Sequence, residues 1–315
     1  MDELSKALSD LRADTVVPGR FLLSAPWSFT KPAGPGVPFR MCTGNPFYVI
    51  VEGAKPVFVR PGDFVLLPRG SEHVLCSSPE LPPIPMAELM SNRGVHPQMN
   101  TPLTFTAGGN GAVTEMYTAI IGFREARRNP FLSVLPPVIH VHADDPAVPS
   151  WLTATMQAFI QESMNCELGW AIAAARLADV LIVHLLRAYI ANAHQSDFGW
   201  LRAMRDVHLV KAMALIHRDP SKAWTVDDLA AEAGMSRSRF SARFLELVGE
   251  TPIAHLTSYR MFLAAGKLTH GHANLAEVAQ SVGYASDKAF TRAFRRWSGM
   301  PPKAYGRSTP DIRVI

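Results

Sequence analysis

One segment of this 315-residue chain is written twice near its C-terminal end. The first copy runs from Thr225 to Leu256 and the second from Asn274 to Gly306. Each reads cap, apolar helix, Gly, Ser, second helix. Thr225 and Asn274 are helix-capping residues, with Asp228 and Glu277 three positions on in a capping-box pattern. Leu229, Ala230 and Gly234 answer to Val278, Ala279 and Gly283; Ser236, Phe240, Phe244, Gly249 and Pro252 answer to Ser286, Phe290, Phe294, Gly299 and Pro302. The offset is 49 before the turn and 50 after it, so the second copy carries one extra turn residue. Two helices broken by a short Gly-containing turn make a helix-turn-helix, whose second helix enters DNA. Doubled in one chain, the pattern confines the C-terminal part to an all-α fold and points to a DNA-binding regulator.

Charge follows the repeat. Residues 201–315 hold 17 Lys and Arg against 10 Asp and Glu, whereas residues 1–200 hold 14 against 17. The basic part is the part with the repeat, as phosphate binding requires. Cys42, Cys76 and Cys166 are widely spaced and form no C-x-x-C, which argues against a disulfide framework or a cysteine zinc site and fits a reducing cytoplasm. The acidic start, Met1-Asp2-Glu3, reads without a signal peptide. Trp170–Ile190 is apolar, but Arg176, Asp179, His184 and Arg187 within it exclude a membrane span.

Placing Phe290 inward on a wheel of 100° per residue brings Phe294 and Trp297 within about 40° of it. Lys288, Arg292 and Arg295 then face outward, with Arg296 flanking. Long cations there suit phosphates and the acceptors of guanine. In the first copy Phe240, Phe244 and Leu247 share the inner stripe; Ser238, Ala242 and Leu245 face out, beside Ser241 and Glu246. Arg237, Arg239 and Arg243 lie nearer the core boundary, within reach of phosphates. Between the copies, Ile253–Leu268 is compatible with a helix about 24 Å long. Such a spacer holds two recognition helices about one DNA turn apart.

The first 145 residues read as strands: Arg20–Ala25, Phe47–Val51, Val57–Val59, Phe64–Leu67, Val113–Gly122 and Val138–Val141. Turn signals lie at Glu52-Gly53, Pro61-Gly62-Asp63 and Pro68-Arg69-Gly70; Pro79–Pro85 and Gly108–Gly111 read as loops. The spacing suggests a small antiparallel barrel or sandwich. Trp151–Met164 and Trp170–Ile190 read as helices with Asn165-Cys166 and Gly169 in the turn. In the second, Arg176, Asp179 and Arg187 form a narrow polar stripe. The rest is apolar and needs cover on more than one side, either within the chain or from a second copy. Ala191–Trp200 reads as a short connection.

Residues from about His208 to Arg307 resemble the DNA-binding domain of the AraC/XylS transcription regulators. Ala279, Val282-Gly283-Tyr284, Ser286, Phe290, Arg292, Phe294, Arg295, Gly299, Pro302 and Tyr305 carry the resemblance, which Gly306 interrupts. It implies two helix-turn-helix subdomains joined by a helix, binding to double-stranded promoter DNA, and action on RNA polymerase. By position, Ser238, Ser241 and Ala242, and Asp287, Lys288 and Arg292, would face bases. Gly62, Pro68-Arg69-Gly70 and His73 are similar to the second half of the cupin motif. The matching first half, Tyr48–Val59, holds Glu52 and no His, too few ligands for a catalytic metal.

The expectation is therefore a multidomain α+β chain. A cupin-like β-barrel (1–148) senses an effector, a helical pair and linker (149–200) forms a homodimer, and an all-α double helix-turn-helix (201–315) binds DNA. The first motif spans about 225–247, the linker helix 253–268 and the second motif 274–297. DNA contacts are expected from Arg237, Ser238, Ser241, Ala242, Asp287, Lys288, Arg292 and Arg295, and effector contacts from Tyr48, Phe58 and His73. Neither a cofactor nor a metal is expected. His140-x-His142, followed by Asp144, reads as solvated or structural, and Cys42 and Cys76 as small buried hydrophobes. A cytoplasmic, non-enzymatic regulator answering to a small molecule is the reading; the competing one is a metal-dependent cupin enzyme tethered to DNA.

Overall fold

A computed structural model describes residues 12–34, 36–95, 101–123, 132, 135–192, 206–270 and 274–307. From residue 193 onward the expected connection lies outside them. They form two compact units, one on the described residues of 12–123 and 136–192 and the other on 132, 135, 206–270 and 274–307. The two long helices expected to form a dimer thus share the compact unit of the barrel.

Among the described residues, eleven strands build the first unit: β1 (Ala13–Ser24), β2 (Ser28–Lys31), β3 (Val37–Gly44), β4 (Phe47–Val51), β5 (Val57–Val59), β6 (Phe64–Leu66), β7 (His73–Cys76), β8 (Ile84–Pro85), β9 (Leu103–Gly108), β10 (Val113–Phe123) and β11 (Ile139–Val141). They make a six-stranded sheet in the order β11-β6-β3-β10-β1-β9 and a five-stranded sheet in the order β5-β4-β7-β2-β8. Most pairings are antiparallel, but β1–β9 and β2–β8 are parallel. The strands missing from the sequence expectation include β2, β3 and β7. Each turns a charged or polar residue inward, Lys31, Arg40 and His73, which breaks the apolar alternation that reveals a strand.

The two inner faces share one core. Phe21 and Leu23 of the larger sheet meet Phe29, Phe47 and Leu75 of the smaller, and the Phe21 and Phe29 rings lie 6.5 Å apart, edge to face. The outer face of the larger sheet is covered by α2 (Trp151–Asn165) and α3 (Trp170–Asn192), which follow a short α1 (Met86–Ser91). Phe159 of α2 packs on Phe39 of β3. Ala174, Ala175 and Ala178 let α3 approach β1 closely, and the Ala13 amide donates to Asp179 Oδ1 at 2.7 Å. Asp179 of the expected polar stripe therefore braces β1 while pairing with Arg176 at 3.1 Å. On the opposite side of α3, Ile172 is 70% and Val180 41% exposed. Among the described residues, no helix is long and apolar enough to cross a membrane.

In the second unit α4 (Val207–Arg218), α5 (Val226–Glu232) and α6 (Arg237–Val248) enclose a core of Leu209, Ile216, Trp224, Leu229, Phe240 and Phe244. Then α7 (Pro252–His270) leads to α8 (Leu275–Ser281), α9 (Asp287–Ser298) and α10 (Pro302–Tyr305). Val278, Val282, Phe290, Phe294 and Tyr305 form the second core with Met261 and Ala265 of α7. At 19 residues α7 is about 28 Å long, three residues more than the periodicity suggested.

Candidate nucleic-acid interface

Each helix-turn-helix is set by its own caps. Thr225 and Asp228 form a full capping box on α5, and Asn274 Oδ1 accepts the Ala276 amide on α8. Ser286 caps α9, whereas Ser236 makes no side-chain capping bond to α6. Gly249 and Gly299 end the two second helices in the left-handed conformation, at φ of 85° and 78°. With the inner stripes fixed by Phe240/Phe244 and Phe290/Phe294, all fully buried, the outer faces follow.

On α9, Asp287, Lys288, Arg292 and Arg295 are exposed and lie together along one shallow groove, joined by Thr291, Arg296 and Gly299. On α6, Ser238 and Ala242 are exposed, Ser241 is half-buried, and Leu245 is 49% exposed. Two arginines of α6 are already engaged. Arg237 pairs with Asp227 at 2.9 Å, and Arg243 pairs with Asp206, which also caps α4 through the His208 and Leu209 amides. Arg243 is therefore a clamp between α6 and α4, and not the free phosphate-reaching cation its sequence position suggests. A protonated Asp206 would lose that clamp. Although burial opposes it, the bond to Arg243 and the two cap amides hold its pKa below the ordinary carboxylate range.

Of the three expected effector residues, the structure brings Tyr48 and Phe58 together and sets His73 apart from them. Phe47, Val49 and Val51 point into the core, so alternation turns Tyr48 outward, where its ring stands 5.0 Å from that of Phe58, itself 44% exposed. His73 alone is interior. Its Nε2 lies 3.2 Å from Arg40 Nη2, and its Nδ1 donates to the Ser71 carbonyl at 2.8 Å. Lys31, opposite His73 in the β2–β7 register, completes this polar end. Arg40 is 1% exposed and also donates to the Phe39 carbonyl and Thr118, while its Nε has no partner among the described residues. Burial, and then the Arg40 charge, push His73 down to about 3; burial lowers Arg40 to about 9 and, with Arg40, Lys31 to about 8. Burial likewise pushes the thiols of Cys42 and Cys76 up, to about 12 and about 11, so neither carries the thiolate that oxidant sensing needs.

Comparison with known proteins decides the family. A cupin family profile matches residues 2–191 and a helix-turn-helix domain profile matches residues 229–308. A putative AraC-like transcription regulator of Streptomyces lividans is 32% identical over 97% of this chain and 98% of its own length. The chain belongs to the AraC-like transcription regulators. The regulator AlkR of Acinetobacter baylyi is 29% identical over 97% of this chain and 99% of its own. A DNA-binding transcriptional dual regulator from Escherichia coli K-12, of known structure, is 29% identical, covering 31% of this chain and 94% of that one, with a TM-score of 0.29.

Two features of this AraC-like regulator escape sequence reasoning. Gly306, where the family pattern is interrupted, fits closely on α7: a Cβ there would come 2.8 Å from the Leu268 carbonyl oxygen. Arg260 of α7 donates through Nε to the Pro220 carbonyl at 2.6 Å and through Nη2 to that of Lys222 at 2.8 Å, and stands over the Tyr284 ring. This arginine ties the loop before the first helix-turn-helix to the turn inside the second. Nothing local in the sequence marks it, because its partners are backbone atoms about 40 residues away.

Proposed function

We propose that the chain is a one-component promoter-binding regulator in which α6 and α9 enter successive major grooves and an effector acts through the barrel. The observation that carries it is the pair of recognition helices, each fixed by its own core, joined by one continuous 19-residue helix. In this reading Lys288, Arg292 and Arg295 supply phosphate and guanine contacts, while Ser238, Ser241 and Ala242 let α6 approach base edges closely. Arg237, Asp287 and a bound RNA polymerase complete the expected interface. Ile172 and Val180, exposed on α3 on either side of Arg176 and Arg187, support pairing with a second copy through a mixed apolar and basic face. Hydroxyl-radical footprinting on an operator selected from random DNA should show protections about 10–10.5 base pairs apart on one face, repeated for each protomer. A single protected patch would sink the bipartite arrangement.

The cupin-enzyme alternative does not fit the donor set. A divalent ion at His73 Nε2 would meet the Arg40 guanidinium 3.2 Å away, with Lys31 beside it. The buried Arg40 guanidinium favours an effector with an anionic group, since among the described residues none of the groups bonded to it is acidic. A melting-temperature screen against small carboxylates should give shifts with the natural chain that Arg40→Gln abolishes. Equal shifts in both proteins would rule this anchor out.

A further inference from the structure

We propose that Asp63, His140 and His142 form a site for a zinc-type divalent cation at the edge of the larger sheet. The histidines stand two apart on and just after β11, so both point to one face of the strand. Antiparallel pairing of Val141 with Phe64 carries that face onto Asp63, the residue before β6. Oδ2 of Asp63 lies 2.9 Å from His140 Nε2 and 3.2 Å from His142 Nδ1, and one ligand atom from each residue falls within 4.8 Å of the others. Two ligands each 2.0–2.1 Å from a tetrahedral zinc stand about 3.3 Å apart. Two of the triangle's three sides are therefore close to that length without the ion.

Three features go beyond a carboxylate bonded to two imidazoles. Asp63 is 2% exposed and fixed, its Oδ1 accepting the Ala143 amide at 3.0 Å and its Oδ2 the Arg60 amide at 3.1 Å. That carboxylate orientation is what an outer shell supplies to a metal ligand. Three nitrogens, of Arg60, His140 and His142, converge on Oδ2, although a carboxylate has about four lone-pair sites spread over two oxygens. A cation between Oδ2 and the two imidazoles removes that crowding by taking both ring lone pairs. The His142 side chain is 45% exposed, so water can reach the site and serve as the fourth ligand. Imidazole and carboxylate donors suit zinc over calcium or magnesium. A bound ion would clasp β11 to the turn before β6, immediately ahead of the segment that leads into α2.

Untagged full-length protein, stripped with a chelator and dialysed against zinc, should retain one equivalent per chain by elemental mass spectrometry. Cobalt in its place should give the visible absorption of a four-coordinate site. His140→Ala and His142→Ala should each lose the equivalent and the cobalt spectrum, while His184→Ala, elsewhere in the same unit, keeps both. Zinc should raise the melting temperature of the natural chain and leave that of His142→Ala unmoved. Because His142 is half exposed, that variant is expected to fold, which circular dichroism verifies. Less than half an equivalent on the natural chain, or retention by both histidine variants, overturns the site. None of these readouts involves DNA or an effector.

Discussion

Replacing Lys288 and Arg292 together with alanine is expected to weaken operator binding at physiological salt by roughly a hundredfold or more, about tenfold for each side chain truncated. The slope of log affinity against log salt should fall by about one for each side chain that had met a phosphate. Both residues lie in the groove of α9 beside Arg295 and Arg296, on a helix held by Phe290 and Phe294 beneath it. Ser238→Ala with Ser241→Ala on α6 should leave the salt slope unchanged, since neither hydroxyl carries charge and the flanking Arg237 and Arg243 are paired with Asp227 and Asp206. Quantitative binding titrations at several salt concentrations separate the two. Equal slope changes for both double variants would end the division of labour between the helices. That division predicts unequal half-sites.

The helical half of this interface was legible because its signals are local and repeated. A 3.6-residue period, two caps and two terminal glycines, written twice, fix which side of each helix faces inward. The barrel was less legible, and for a physical reason. A short strand announces itself by alternation, and the strands bearing Lys31, Arg40 and His73 put charged or polar groups on the buried side. The same charges are what make that end of the barrel a candidate effector site. Tyr48 and Phe58 lie on the other side of the strands from the core: the alternation of Phe47, Val49 and Val51 turns Tyr48 outward, and Phe58 of β5 pairs with it. Asp63 is separated from His140 by 77 positions, so only strand pairing brings them together. His-x-His followed by Asp144 gave no local sign of Asp63.

Gly283→Ala is expected to reduce binding to a bipartite operator far more than its counterpart in the other copy, Gly234→Ala. Both glycines end the first helix of their motif in the left-handed region, at φ of 81° and 67°, where an alanine costs about 1–2 kcal/mol. Their surroundings differ. A Cβ at Gly234 would find only His208 Nδ1 at 3.9 Å, within ordinary contact. A Cβ at Gly283 would come 2.4 Å from the Ser221 carbonyl oxygen and 2.9 Å from Arg260 Nη2. It would push on the loop that Arg260 holds, and so on the register between the two helix-turn-helix subdomains. Fixed spacing is what makes binding at the second half-site intramolecular, and such linkage is worth on the order of 10²–10⁴ in affinity. Gly283→Ala should therefore lose about a hundredfold or more on an operator with both half-sites, with little change on either half-site alone. Gly234→Ala should lower the melting temperature yet keep the advantage of the paired sites. If the two variants lose that advantage equally, the loss is one of folding, and the bracing role of Arg260 and Gly283 is wrong.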